Sequence, residues 1–124
     1  MLKDHSINKD DVKNFVDAFY SKVRAHEALG PVFNEYIGNN WDNHHKKLYG
    51  FWETYLLRNK AYTGDPFAVH SHLKLQNEHF DAWLHLFNLT VDELLQGEIA
   101  RTAKRTGSLF VHSFKKRLGL TVPN

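Results

Sequence analysis

Nine histidines, His5, His26, His44, His45, His70, His72, His79, His85 and His112, are the side chains of this 124-residue chain best suited to hold a metal or move a proton. A metal cage built on helices needs ligands that meet on one face, hence His pairs three or four apart, Glu three residues from His, or His-Glu-x-x-His. None of these spacings occurs. His70 and His72 would share a face of a strand, but on a helix they point roughly 200° apart. The spacing therefore disfavours a multi-histidine mononuclear or dinuclear site, unless distant segments supply the ligands. The chain has no cysteine, which excludes disulfides, thiolate nucleophiles, cysteine-held zinc or iron–sulfur sites, and a cofactor attached through C-x-x-C-H.

A different chemistry needs only one histidine. Haem asks for a neutral imidazole on the iron, a large apolar slot, and a few polar groups on the opposite side to manage a bound gas. Nine phenylalanines, five tyrosines and three tryptophans could line such a slot. The candidate ligands are His44 or His45 in one helical segment, and His70 or His72 in a short segment after Pro66. Without further information, a lone histidine on an apolar helix face is more often a hydrogen-bonded core residue than a ligand. A helical bundle with purely structural histidines is the reading that competes.

The elements that must position these residues are helical. At 124 residues and 42% hydrophobic composition the chain is expected to form one domain, residues 1–124, with a buried core. No run alternates strictly between apolar and polar residues, so the fold class is all-α. Asn8 with Asp11 three residues on is a helix start, and Val12, Phe15, Val16, Phe19 and Val23 then fall on one face. Gly30 and Pro31 are expected to close that helix. A short aromatic piece over residues 31–37 follows, before Gly38, Asn39 and Asn40 break the chain. The next helix should run over residues 41–57, with Trp41, His44, His45, Leu48, Trp52, Tyr55 and Leu56 as its buried stripe.

After a polar loop, Asp65 and Pro66 start a short helix over residues 66–73. Asn77 is expected to cap another, with Phe80, Trp83, Leu84 and Phe87 on one face. Thr90 and Glu93 read as a capping box for a last helix whose stripe is Val91, Leu94, Leu95, Ile99, Ala103, Thr106, Phe110 and Phe114, stopping near Gly119. The formal charge is +2 with both signs scattered, so no face suits nucleic acid. Lys115, Lys116 and Arg117 read as a solvated last turn. No apolar run reaches the roughly 18 residues of a membrane span, and residues 1–11 lack the apolar core of a signal peptide. The expected residence is cytoplasmic.

Several ordered runs carry a resemblance: Phe19-Tyr20-Ser21-Lys22-Val23-Arg24, Leu29-Gly30-Pro31-Val32-Phe33, Trp41-Asp42-Asn43-His44, Phe51-Trp52, Pro66-Phe67-Ala68-Val69-His70, and His79-Phe80-Asp81-Ala82-Trp83-Leu84. Together they resemble the truncated haemoglobins, most closely the third group, over about residues 15–114. The absence of any Gly-Gly pair agrees, since the first two groups usually carry such pairs. The resemblance implies a truncated globin fold, two helix pairs in a two-over-two sandwich around a non-covalent haem b, with the first globin helix nearly absent and the proximal helix reduced.

It also implies roles. His70 matches the proximal ligand through the P-x-x-x-H spacing, with His72 as the alternative. Tyr20, His44 and Trp83 match the polar residues of the distal side. Phe33, Leu48, Phe51 and Trp52 are expected pocket walls, His45 a flank residue and His79 a structural one. Periodicity alone would make Tyr20 a half-buried aromatic and Trp83 a packing partner of Phe80 and Phe87.

The implied function is reversible binding of oxygen and other diatomic ligands (CO, NO), with cyanide or peroxide as further ligands, served by an unidentified reductase. Peroxidase or nitric-oxide-converting activity is the alternative. Only twelve residues separate His70 from Trp83, so the reach of Trp83 to the distal side depends on how the chain turns at Leu75, Gln76 and Asn77.

Overall fold

The computed structural model describes residues 8–57 and 75–120. Among these are five helices: α1 (Lys9–Ala25), α2 (Leu29–Ile37), α3 (Trp41–Leu56), α4 (Asn77–Leu94) and α5 (Gly97–Arg117). The expected helix over 66–73, with His70 and His72, lies outside the described residues.

α1 starts as its sequence predicts. The Asn8 side chain accepts from the Asp11 N–H at 3.0 Å and the Asp11 carboxylate accepts from the Asn8 N–H at 2.9 Å, which satisfies two donors the helix cannot use itself.

Its end differs from expectation. α1 stops at Ala25, and Gly30 and Pro31 fall inside the first turn of α2. Proline is tolerated in a first turn because the N–H it lacks would have no helical partner there. His26 performs the capping instead: its Nδ1 accepts from the N–H groups of Ala28 at 3.1 Å and Leu29 at 3.2 Å. Gly30 is needed for close approach, since a Cβ there would sit 2.5 Å from the Arg24 carbonyl oxygen.

α1 packs against α2, α3 and α4, while α4 pairs with α5 and α5 returns to α3, so two helix pairs face each other. Leu95 and Gln96 are extended and form the turn between α4 and α5. The expected capping box at Thr90 and Glu93 is therefore absent. Thr90 is fully buried inside α4 and its hydroxyl donates to the Leu86 carbonyl at 2.8 Å. Likewise α4 is capped one residue earlier than expected, at Gln76, whose N–H donates to His79 Nδ1 at 2.9 Å. The buried positions of α5 are Ala103, Gly107, Val111 and Lys115, whereas Leu94 is 49% exposed.

Lys115 departs furthest from its expected role. It is 4% exposed and its Nζ donates to Asp81 Oδ1 at 2.7 Å, tying α5 to α4. Burying an ammonium costs several kcal/mol unless it is paired, which the carboxylate 34 residues away provides. Lys116 and Arg117 remain exposed.

Phe87 centres the core. Its ring lies 5.4 Å from Phe15, 5.3 Å from Phe19, 5.1 Å from Trp52 and 5.1 Å from Trp83. Gly107 permits this, because a Cβ there would sit 2.8 Å from the Phe87 ring. Gly107→Ala gains about 1 kcal/mol of helix propensity but costs about 1–3 kcal/mol of overpacking, so a net loss is expected. Urea unfolding should show a lower midpoint at unchanged slope; an equal or higher midpoint would mean that Phe87 yields freely.

A cavity lined by Tyr20, His44, His79 and aromatic walls

A cavity of about 490 Å³ opens between the helix pairs, within the range of sites for small molecules and cofactors. Four residues expected as pocket walls, Phe33, Leu48, Phe51 and Trp52, all line it. So do the three expected distal residues, Tyr20, His44 and Trp83, which arrive from α1, α3 and α4. Trp83, carried by α4, reaches the cavity.

Tyr20 is 2% exposed, although it follows Phe19, which is also fully buried. Neighbours on a helix point about 100° apart, so α1 must be covered on two sides. α2 and α3 cover one and α4 the other. The Tyr20 ring contacts Phe19 at 4.7 Å, Phe33 at 6.5 Å and His44 at 6.2 Å. Burial pushes its phenol up to about 12, and a hydrogen bond with Trp83 offsets part of that rise. An indole N–H can only donate, so Trp83 can act on the phenol only through the phenol oxygen. Trp83 also stacks on Phe87 at 7° between planes and meets Phe19 edge-on at 5.1 Å, so its packing and polar roles coexist.

His44 is half-buried and stands 5.8 Å from Trp41 as well as beside Tyr20. His45 stands beside the cavity and not in its lining, as expected of a flank residue. Its side chain is 17% exposed and its Nδ1 lies 3.0 Å from Asp17 Oδ1, the same oxygen that accepts from the Tyr49 hydroxyl. Burial and the neighbouring Asp17 and Asp42 carboxylates raise the Tyr49 phenol to about 12. Trp41 closes this end, its indole donating to Asn34 Oδ1 at 3.0 Å with the Arg24 guanidinium 4.5 Å above its ring.

Sequence reasoning did not single out Asn40 and Lys47, which add polar groups to the lining; His79 adds another beside its capping role. Lys47 follows the stripe of His44 and Leu48 by helical spacing, the one signal that could have found it. In the expected buried stripe of α3, Phe51 is buried in place of Tyr55, which is 42% exposed, and His44 and His45 are half-buried.

An all-α sandwich around a large apolar cavity with polar groups gathered about a tyrosine defines a globin-type pocket. The family model for bacterial-like globins matches residues 7–115, and the chain belongs to that family. Its relatives include the group 3 truncated hemoglobin ctb of Campylobacter jejuni, 32% identical over 123 residues covering 93% of this chain and 97% of the relative. The crystal structure of the group III truncated hemoglobin from Campylobacter jejuni matches with a TM-score of 0.84 at 30% identity, covering 91% of this chain and 92% of that one.

The fold is thus the truncated globin fold. Membership implies a haem and small diatomic ligands, and the cavity fits: Leu29, Ile37, Leu75, Phe80, Phe110 and Phe114 add apolar surface around the polar groups. A purely structural helical bundle gives way to a haem globin. No described helix is long and apolar enough to cross a membrane.

Proposed function

We propose that the chain binds oxygen reversibly at a non-covalent haem b, held by His70 and presented to a donor-rich distal side made by Tyr20, Trp83 and His44. The absence of cysteine supports the non-covalent attachment. The observation that carries the reading is the gathering of these three residues, from three helices, around one buried phenol in an otherwise aromatic and aliphatic cavity.

A haem iron held by His70 would supply the binding of the gas. The chain's part is to hold a proton beside that gas. Tyr20, kept protonated by burial, donates its O–H toward the ligand. Trp83 orients the phenol through its N–H, and His44, beside Tyr20, adds a second donor or narrows the access path. Phe33, Leu48, Phe51 and Trp52 would hold the haem between apolar walls and exclude water.

Several donors slow ligand release, which suits redox chemistry on a bound ligand better than oxygen delivery. The same donors favour a second reading, a peroxidase or nitric-oxide-converting enzyme served by a reductase, because a phenol proton aimed at a peroxide polarises its O–O bond. Slow oxygen dissociation without peroxide or nitric oxide turnover would favour storage or sensing instead.

Absorption spectra of the purified protein test the core of the reading. After haem addition, a Soret band that shifts on reduction and again with carbon monoxide is expected. No Soret band would refute it.

A further inference from the structure

The aromatic core has a second property besides packing. Trp83 and Trp52 both line the cavity, and Phe87 lies between them, 5.1 Å from each ring and inclined by 7° and 30°. Trp52 then meets Phe51 at 5.2 Å and Phe110 at 6.0 Å, and both of these touch Tyr55, at 5.0 Å and 5.3 Å. Tyr55 is 42% exposed. A continuous line of ring contacts thus runs from the cavity to solvent and ends on a phenol.

Tryptophan and tyrosine give up one electron more readily than phenylalanine or any aliphatic side chain. The groups that usually compete with them are the sulfur side chains, and this chain has no cysteine and a single methionine, Met1. Oxidising equivalents released in the cavity therefore have aromatic side chains as their main outlet. Oxidised tyrosine must also shed its phenol proton. Among the described tyrosine side chains, Tyr20 is buried and the Tyr49 ring meets His45 away from this line of rings, whereas Tyr55 ends the line and faces water.

We propose that Tyr55 is the surface terminus of an electron route through Trp52, and the site at which the chain is modified when peroxide reacts in its pocket. The inference rests on the haem reading above. Hydrogen peroxide is the oxidant. Its O–O bond breaks and it is reduced to two waters by two electrons and two protons. Within one chain Tyr55 supplies one electron, which passes inward through Trp52, together with its phenol proton. Trp52 then supplies the second electron and its indole proton, so that H2O2, one phenol and one indole give two waters, a Tyr55 phenoxyl radical and a Trp52 indolyl radical.

The test uses the haem-loaded protein, hydrogen peroxide and a nitroso spin trap, with the covalent adduct mapped by peptide mass spectrometry. The wild-type protein is expected to carry its tyrosine adduct mainly on Tyr55. Tyr55→Phe should lower the total tyrosine adduct at least fivefold, and Trp52→Phe should lower the Tyr55 adduct about tenfold at equal haem occupancy. An adduct mainly on Tyr20, Tyr49 or another tyrosine of the wild type overturns the proposal, as does an undiminished total in Tyr55→Phe. An unchanged Tyr55 adduct in Trp52→Phe overturns the route through Trp52. A wild-type protein with no Soret band overturns the haem reading and this proposal together, whereas a normal Soret band without adduct at Tyr55 overturns this proposal alone.

Discussion

Replacing His70 by glycine is expected to leave a protein that no longer holds a stable five-coordinate ferrous haem, while His72→Gly retains it. A metal ligand matters more than the groups behind it, whose loss already costs ten- to a hundredfold in affinity, so haem affinity should fall by more than about a hundredfold. The argument is one of spacing: His70 stands at the fourth position after Pro66, where the resemblance puts the proximal imidazole. Both variants should be reconstituted with haem, reduced, and examined by absorption and resonance Raman spectroscopy. A five-coordinate ferrous spectrum in His70→Gly, lost in His72→Gly, would move the ligand by two residues. Imidazole added to His70→Gly should restore the spectrum, which separates a missing ligand from a damaged pocket.

Faster oxygen release from Tyr20→Phe and from Trp83→Phe is the second large effect expected. A phenol donating to a ligand with partial negative charge contributes about 1.5–3 kcal/mol, roughly ten- to a hundredfold in the dissociation rate. Trp83 differs from Tyr20 in that its N–H is a donor to the phenol. Part of its effect therefore passes through Tyr20, and the two substitutions should not add: Trp83→Phe should matter less once Tyr20 is phenylalanine. Stopped-flow displacement of oxygen by carbon monoxide measures all four rates. Unchanged rates in both single variants and the double would sink the hydrogen-bond account, and strict additivity would make Trp83 an independent donor.

The same phenol sets a pH dependence. Its value rises from 10.0 to about 12 in the folded protein, so folding favours the protonated form. Its contribution to stability is complete below pH 10.0 and is lost as the pH climbs toward about 12. Oxygen release governed by Tyr20 should accordingly be flat up to pH 10.0 and accelerate only as the phenol ionises. A step near neutrality that persists in Tyr20→Phe would point to His44 instead.

Much of this protein was legible from residue order alone. The helices, the capping pair Asn8 and Asp11, and the seven cavity residues outside the proximal segment follow from periodicity, cap chemistry and the resemblance. The missing cysteines restrict how a haem can be held. These features depend on the residue and its neighbours within a turn or two, which is the range over which helical spacing and cap hydrogen bonds act.

Tertiary structure decided what those rules leave open. Pro31 can end one helix or begin the next, and the contact of Gly30 with the Arg24 carbonyl oxygen selects the second. Thr90 can cap a helix or sit within one, and burial of α4 selects the interior. Lys115 looks like a solvated cation until Asp81, 34 residues away, meets it, and the group that holds the His45 ring on the flank, Asp17, lies 28 residues away. Only packing, too, decides that Trp83 and Tyr20 line one cavity and that Tyr55 reaches water. Each outcome depends on which surfaces lose solvent together, and desolvation is set by segments far apart in the chain.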